Sequence, residues 1–237
     1  MPAYIHDMIA SGEGQKLDFK FCITDSKKIA RSLVAFANTD GGTLLIGVKD
    51  NGIVAGVRSD EELYMLEAAA KMYSKPGIEL ALKNHVINGK TLIEAKVKKS
   101  PMRPHSAPDN DGIWKVYIRV HDQNLLANRV LLKVWENETR QQGILIRFTE
   151  KEKRLLRYLE ENKTISMAKY CKIAHLPWRI AENTLIRFIA VGMLEMRMSD
   201  KGTVYAMGEL ENKLMPGFES DSLECPIHRT VVKPFSP

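Results

Sequence analysis

The stretch from Asn38 to Gly52 most constrains what this chain can fold into. Asn38-Thr39-Asp40-Gly41-Gly42 halts a helical pattern, Thr43-Leu44-Leu45-Ile46-Gly47-Val48 follows as a continuous apolar run, and Asp50-Asn51-Gly52 turns the chain again. An apolar run of that length, bounded by turn residues, suits a central strand covered on both faces. A chain that holds such a strand must also supply the layers that cover it. Asn and Gly tolerate positive φ, so the turn at 50–52 predicts a hairpin that pairs Ile53-Val54-Ala55-Gly56-Val57 with the central strand.

The pattern on either side supplies those layers. Lys16-Leu17-Asp18-Phe19-Lys20-Phe21 alternates polar and apolar residues as a half-buried strand does. Ser26 can cap the helix that follows, where Ile29, Ala30, Leu33, Val34 and Ala37 fall on one face. Ser59 to Tyr73 predicts a second helix. Ile78 to Ile87 and Thr91 to Val97 alternate across Asn88-Gly89 as a second hairpin. A strand over Trp114 to Val120 follows the loop Pro101 to Gly112, and Leu125 to Trp135 returns to helical spacing. Hairpins outnumber crossovers, which predicts an α+β fold: a mixed sheet with flanking helices rather than a doubly wound one.

A length of 237 residues exceeds the usual single domain, and Gln141-Gln142-Gly143 marks a break. Beyond it, Thr149 and Glu152 stand at capping-box spacing ahead of a helix through Glu161. A shorter helix begins at Thr164-Ile165-Ser166, Leu176-Pro177 interrupts it, and Trp178 to Val191 forms a third. Met193 to Met198 and Thr203 to Met207 make a hairpin across Ser199-Asp200-Lys201-Gly202. That order is the order of a winged helix-turn-helix. The expected organisation is residues 1–140, a small winged-helix domain at 141–208, and an extended tail at 209–237 carrying Pro216, Pro226, Pro234 and Pro237.

Several function classes are excluded by composition. No window approaches the roughly 18 apolar residues a membrane span needs, and the first residues lack a basic stretch followed by an apolar one. Cys22, Cys171 and Cys225 are odd in number and far from one another, and no C-x-x-C pair occurs. They read as reduced thiols of a cytoplasmic protein. Of the net charge of +6, residues 141–208 hold most, with 12 basic side chains against 7 acidic. Excess positive charge on a small domain is the footprint of a polyanionic partner.

Four strings along residues 8–135 carry a family resemblance: Glu13-Gly14-Gln15-Lys16-Leu17-Asp18-Phe19-Lys20, Ala35 through Val48, Ser100-Pro101-Met102-Arg103-Pro104-His105, and Val116-Tyr117-Ile118-Arg119-Val120. Together they resemble the Schlafen AlbA-like domain, also described in bacterial proteins as a divergent ATP-binding domain. Nuclease-active members of that family gather three carboxylates that bind a divalent metal and cut RNA. By position the matching residues are Glu13, Asp18 and Asp50, and Mg²⁺ or Mn²⁺ suits such hard oxygen ligands. Asp18 is one methylene shorter than the family's glutamate. Lys49 precedes Asp50 where many relatives carry a second acid, and Asp50 also suits the first position of its turn.

The glycines after Asn38 and Thr39 leave two readings open. Gly41 and Gly42 could expose backbone N–H groups to a phosphate, such as that of ATP, or could form a helix C-cap. The full phosphate-loop pattern does not occur in the chain: the glycine-lysine-threonine string at Gly89-Lys90-Thr91 has Asn84 where that loop's first glycine would stand. Lys98, Lys99, Arg103, His105 and Arg119 are a candidate basic cluster for a nucleic-acid backbone.

The leading expectation is a nucleic-acid-binding, transcription-regulator-like protein, with DNA favoured over RNA. Trp178 to Val191 would be the recognition helix and Lys201 the wing tip. Early positions of that helix nominate Trp178, Arg179, Glu182, Asn183 and Arg187, and Asn and Arg are the side chains that read adenine and guanine edges. A metal-dependent ribonuclease is the alternative, and a nucleotide sensor the third. A homodimer is expected through the Leu125 to Trp135 helix, with Trp135, or through the edge of the N-terminal sheet.

Overall fold

A computed structural model describes residues 3–57, 59–139 and 148–208. The chain divides into two compact units, one ending at Ala127 and one beginning at Asn128. The expected break at 141–143 and the tail from 209 lie outside the described residues.

The N-terminal unit is an α+β fold. Its helix α1 (Ala3–Ser11) leads into strand β1 (Leu17–Lys20), helix α2 (Ser26–Asn38) and strand β2 (Gly42–Ile46). Strands β1 and β2 run parallel with α2 as their crossover. Helix α3 (Glu61–Lys71) and the hairpin of β3 (Leu80–Ile87) and β4 (Lys90–Val97) complete a mixed sheet in the order β1-β2-β4-β3. Asn88 and Gly89 both take positive φ, as the tight turn of that hairpin demands.

Strand β2 is central, and its side chains feed two cores. Leu44 and Ile46 pack with Leu33, Phe36, Leu66 and Ile93 under α2 and α3. Leu45 faces the other way and packs with Ile5 of α1, Phe19, Val48, Ile87 and Leu92. The unbroken apolar run is the direct consequence, since alternate residues enter different cores. On the α1 side, a polar cluster at the rim ties helix to sheet: the buried His85 has Nε2 2.7 Å from Glu94 Oε2 and 3.1 Å from the hydroxyl of the exposed Tyr4, which donates to the same carboxylate at 3.0 Å.

Three features differ from the sequence expectation. The segment 53–57 is not a full strand, because β1 and β4 already occupy both edges of β2; only a bridge between Val48 and Val54 remains. Helix α2 is capped by Asp25, whose side chain accepts from the Lys27 N–H at 2.8 Å, rather than by Ser26. The predicted strand 114–120 is split. Short strands β5 (Ala107–Pro108) and β6 (Trp114–Lys115) pair with each other, and β7 (Tyr117–Val120) pairs with β8 (Gln123–Leu126) against α2.

The C-terminal unit begins with helix α4 (Arg129–Thr139), which packs on a later helix of the same unit with Val130 and Val134 buried. The helix expected over Leu125–Trp135 therefore starts later, and its apolar side, including Trp135 at 5% exposure, is covered within the chain. Helix α5 (Glu150–Asn162) starts at the expected capping box of Thr149 and Glu152. Strand β9 (Thr164–Ile165), helix α6 (Met167–Ala174), helix α7 (Trp178–Ala190) and the hairpin β10 (Leu194–Ser199) and β11 (Gly202–Met207) follow. These strands form one sheet in the order β10-β11-β9. Leu155, Leu159, Tyr170, Leu185, Phe188 and Tyr205 make its core.

No described helix is long and apolar enough to cross a membrane.

Candidate functional site

A cleft of about 450 Å³ opens in the N-terminal unit, between β1, α2 and the β7–β8 pair. Glu13, Asp18 and Asp50, matched together by position through the family resemblance, all line it. So do Lys20, Lys28, Arg31 and Arg119, which gives the cleft as many cations as it has acids once Asp122 is included.

Asp18 is 3% exposed, and both of its oxygens are engaged. Arg119 Nη2 stands 3.3 Å from Oδ1, while Lys20 Nζ at 3.0 Å and the Ser32 hydroxyl at 3.2 Å meet Oδ2. The Glu13 Oε1 atom accepts the Phe19 N–H at 2.7 Å. Burial pushes the Glu13 carboxyl above its ordinary pKa and the adjacent Asp18 adds to the rise, while the Phe19 N–H offsets part of it. Among the described residues no three His, Cys, Asp or Glu side chains stand close enough together to hold a metal ion. As arranged, the trio lines one cleft, and Asp18 answers two cations within it.

Arg119 is not a free phosphate donor. Its guanidinium, 2% exposed, donates to the Gly14 and Leu17 carbonyls at 3.1 and 3.2 Å and to Asn124 Oδ1 at 3.1 Å as well as to Asp18. His105 is likewise buried, with Nδ1 at 2.8 Å from the Pro76 carbonyl and Nε2 at 2.7 Å from the Ser100 hydroxyl. Of the expected basic cluster, Lys98 and Lys99 are exposed, with Lys99 facing Asp40 at 3.9 Å, and Arg103 is half-buried. The five residues therefore do not converge as open donors.

The turn after α2 resolves as a cap. Asn38 is buried, donating to the His105 and Tyr117 carbonyls at 2.8 Å each and accepting the His105 N–H at 2.7 Å. Both the Thr39 and Gly41 N–H groups bond the Phe36 carbonyl, at 3.1 and 2.9 Å, and the Thr39 hydroxyl takes the Arg119 N–H. Gly41 has φ +71°, and a Cβ there would lie 2.8 Å from the Val97 carbonyl oxygen; one at Gly42 would overlap the Phe36 ring. These glycines serve close packing and a helix end, and the Gly41 N–H is spent on the Phe36 carbonyl.

The C-terminal unit contrasts with all of this. Helix α7 buries Ala181, Glu182, Thr184, Leu185, Ile186 and Phe188. Helical phase then leaves Arg179, Asn183 and Arg187 on the opposite, exposed stripe. Arg187 Nε donates to the Asn183 carbonyl at 3.2 Å, and no carboxylate forms an ion pair with Arg179 or Arg187 among the described residues. Glu182, also nominated from the sequence, turns inward instead, 4% exposed and 3.3 Å from Arg129 Nε. It is the only acid between Lys163 and Met193, a stretch that also holds Lys169, Lys172 and both arginines. The face of α6 and α7 is thus cationic with no exposed carboxylate, and Lys201 is exposed in the β10–β11 turn.

Two features of this face were missed or only half seen in the sequence. Ile180 is 44% exposed on the same stripe, and Trp178 is 58% exposed at its leading end. The phase of Ala181, Leu185 and Phe188 as inward positions is the signal that marks Ile180 as outward. In the cleft, Lys28 and Arg31 were missed; they sit three apart on the polar side of α2.

Residues 13–128 match the family model described as Schlafen, AlbA_2. None of the curated proteins matches the chain. Among solved structures it is similar to the DIP2311 protein from Corynebacterium diphtheriae, at 16% identity and a TM-score of 0.43, over 86% of this chain and 38% of that one. It is also similar to the N-terminal domain of a RecG-related protein from Nitrosomonas europaea, at 21% identity and a TM-score of 0.38, over 52% of this chain and 94% of that one. The chain spans well under half the length of the first of these.

Proposed function

We propose, with residues 13–128 matching the Schlafen, AlbA_2 family model, that this chain is a nucleic-acid-binding protein of the transcription-regulator kind, whose C-terminal unit is a winged helix that lays α7 into duplex DNA. One observation carries the reading: the exposed stripe Arg179, Asn183 and Arg187 on α7, on a face whose only acid, Glu182, is buried and neutralised by Arg129. The order α5-β9-α6-α7-β10-β11, with β9 pairing on β11 and a turn of His175, Leu176 and Pro177 between α6 and α7, supports the winged-helix assignment. In that arrangement α7 is the helix presented to the major groove, and Lys201 lies in the wing.

Exposed arginines bring release of counterions from the DNA, so binding must weaken steeply with salt. The test is a salt titration of binding to a random-sequence duplex, with Arg179→Ala and Arg187→Ala alongside the unaltered protein. Each replacement is expected to lower affinity and to reduce the salt slope by about 1 per lost phosphate contact. Absence of binding at low salt, or binding indifferent to salt, overturns the reading.

The ribonuclease alternative retains one supporting observation, that Glu13, Asp18 and Asp50 line one cleft. The engagement of Asp18 by Arg119 and Lys20 weighs against it. For the expected homodimer, α4 is already covered within its unit, which leaves the β3 edge of the N-terminal sheet as the candidate surface.

A further inference from the structure

A recognition stripe made only of cations and amides would grip phosphates and polar base edges, yet this one has apolar side chains set into it. Ile180 lies between Arg179 and Asn183 in sequence and shares their outward phase, at 44% exposure. Trp178 opens the same helix at 58% exposure, past the edge of the core formed by Ala181, Leu185 and Phe188. Leaving two large apolar side chains in water beside a cationic stripe costs solvation, and their placement makes sense when the surface they meet carries an apolar group of its own. In the major groove of DNA the one such group on a base edge is the C5-methyl of thymine. Double-stranded RNA offers neither that methyl nor a groove wide enough for the helix.

We propose that Ile180, with Trp178 beside it, is a specificity-determining contact to thymine methyl groups, so that the α7 face selects thymine-containing duplex DNA, and that Asn183 reads an adenine in the same site. The inference rests on the proposed duplex-binding function and deepens it. The cationic surroundings, Lys172, Arg179 and Arg187 with no exposed acid, favour DNA as the occupant of this face over a protein partner.

The experiment begins with the full chain and a randomised duplex pool, from which bound sequences are enriched. The enriched duplex is then remade with deoxyuridine in place of thymidine, which removes the methyl groups and alters no hydrogen-bonding group. Affinity is expected to fall about fourfold for each contacted methyl that is lost. The double variant Ile180→Ser with Trp178→Ala should bind the thymidine and deoxyuridine duplexes equally while keeping the unaltered salt slope, because its phosphate contacts are intact, and Ile180→Ser alone should narrow the difference. Melting curves of Ile180→Ser and Trp178→Ala that match the unaltered protein exclude a folding explanation, as both sites are exposed. Equal affinity of the unaltered protein for the two duplexes overturns the methyl contact while leaving duplex binding standing. A pool that binds without enriching any sequence overturns it as well, and a pool that does not bind at low salt overturns the proposed function itself.

Discussion

The N-terminal cleft and the α7 face both hold basic side chains, and the two units treat them oppositely. In the cleft, Arg119 is buried and each of its donor groups meets a partner within the same unit. On α7, Arg179 and Arg187 stand in water with their one nearby acid turned inward. The same residue type is thus a structural fastener in one unit and an open donor in the other. Burial and the count of partners, rather than charge, separate a group that holds the fold from one that can take a ligand.

Replacing Arg119 tests that contrast most severely. Arg119→Met leaves the buried Asp18 facing only Lys20 and Ser32, and should lower the stability of the protein by about 3 kcal/mol in denaturant unfolding. Arg179→Ala and Arg187→Ala should stay within about 0.5 kcal/mol of the unaltered protein in the same measurement. An Arg119 variant of full stability that has lost nucleic-acid binding would break the comparison, since the buried arginine would then be acting on a ligand.

Asn38 offers a second, smaller break. Asn38→Ala removes three buried hydrogen bonds and leaves the His105 N–H without its acceptor, for an expected loss of about 2 kcal/mol. If Asn38 served a phosphate instead, its replacement would spare stability, and binding of nucleotides measured by calorimetry would be what changed.

The smallest expected effect belongs to Glu13. A carboxyl whose pKa is higher in the folded chain than in the unfolded one holds its proton more tightly when folded, so the stability it contributes declines as pH rises from the ordinary carboxylate range through the raised value. Glu13→Gln should flatten the stability profile over that window. Profiles of the two proteins that run parallel there would mean that Glu13 is as well solvated as an exposed carboxylate.

Much of the architecture was legible in the sequence because periodicity reports directly on burial. The run from Thr43 to Val48, the Asn88-Gly89 turn and the Thr149–Glu152 capping box each emerged as expected. The failures have a common physical form. Whether 53–57 could pair with β2 depended on β1 and β4, which arrive from distant parts of the chain. Whether Asn38, His105 and Arg119 were free depended on carbonyls as remote as Gly14 and Pro76. The convergence of Glu13, Asp18 and Asp50 on one cleft followed from the family resemblance, but the cations already at Asp18 did not, since Arg119 is a hundred positions away in sequence. On α7 the phase that exposes Arg179, Asn183 and Arg187 is local to one helix and legible there, and the same phase places Glu182 inward and Ile180 outward, against the sequence nominations.

Helix α1 sets where this molecule can be divided. It precedes the segment that matches the family model, which begins at residue 13, yet Ile5 is wholly enclosed against Phe19, Leu45, Ile87 and Leu92, and the Tyr4 hydroxyl reaches His85 and Glu94 at the rim. Kinship and cohesion therefore have different borders here. A polypeptide trimmed to the limits of that match would bare Phe19, Leu45, Ile87 and Leu92 to solvent, a patch that favours association with other chains. Any shuffling of this domain into new contexts has to carry the preceding helix with it or find a substitute cover.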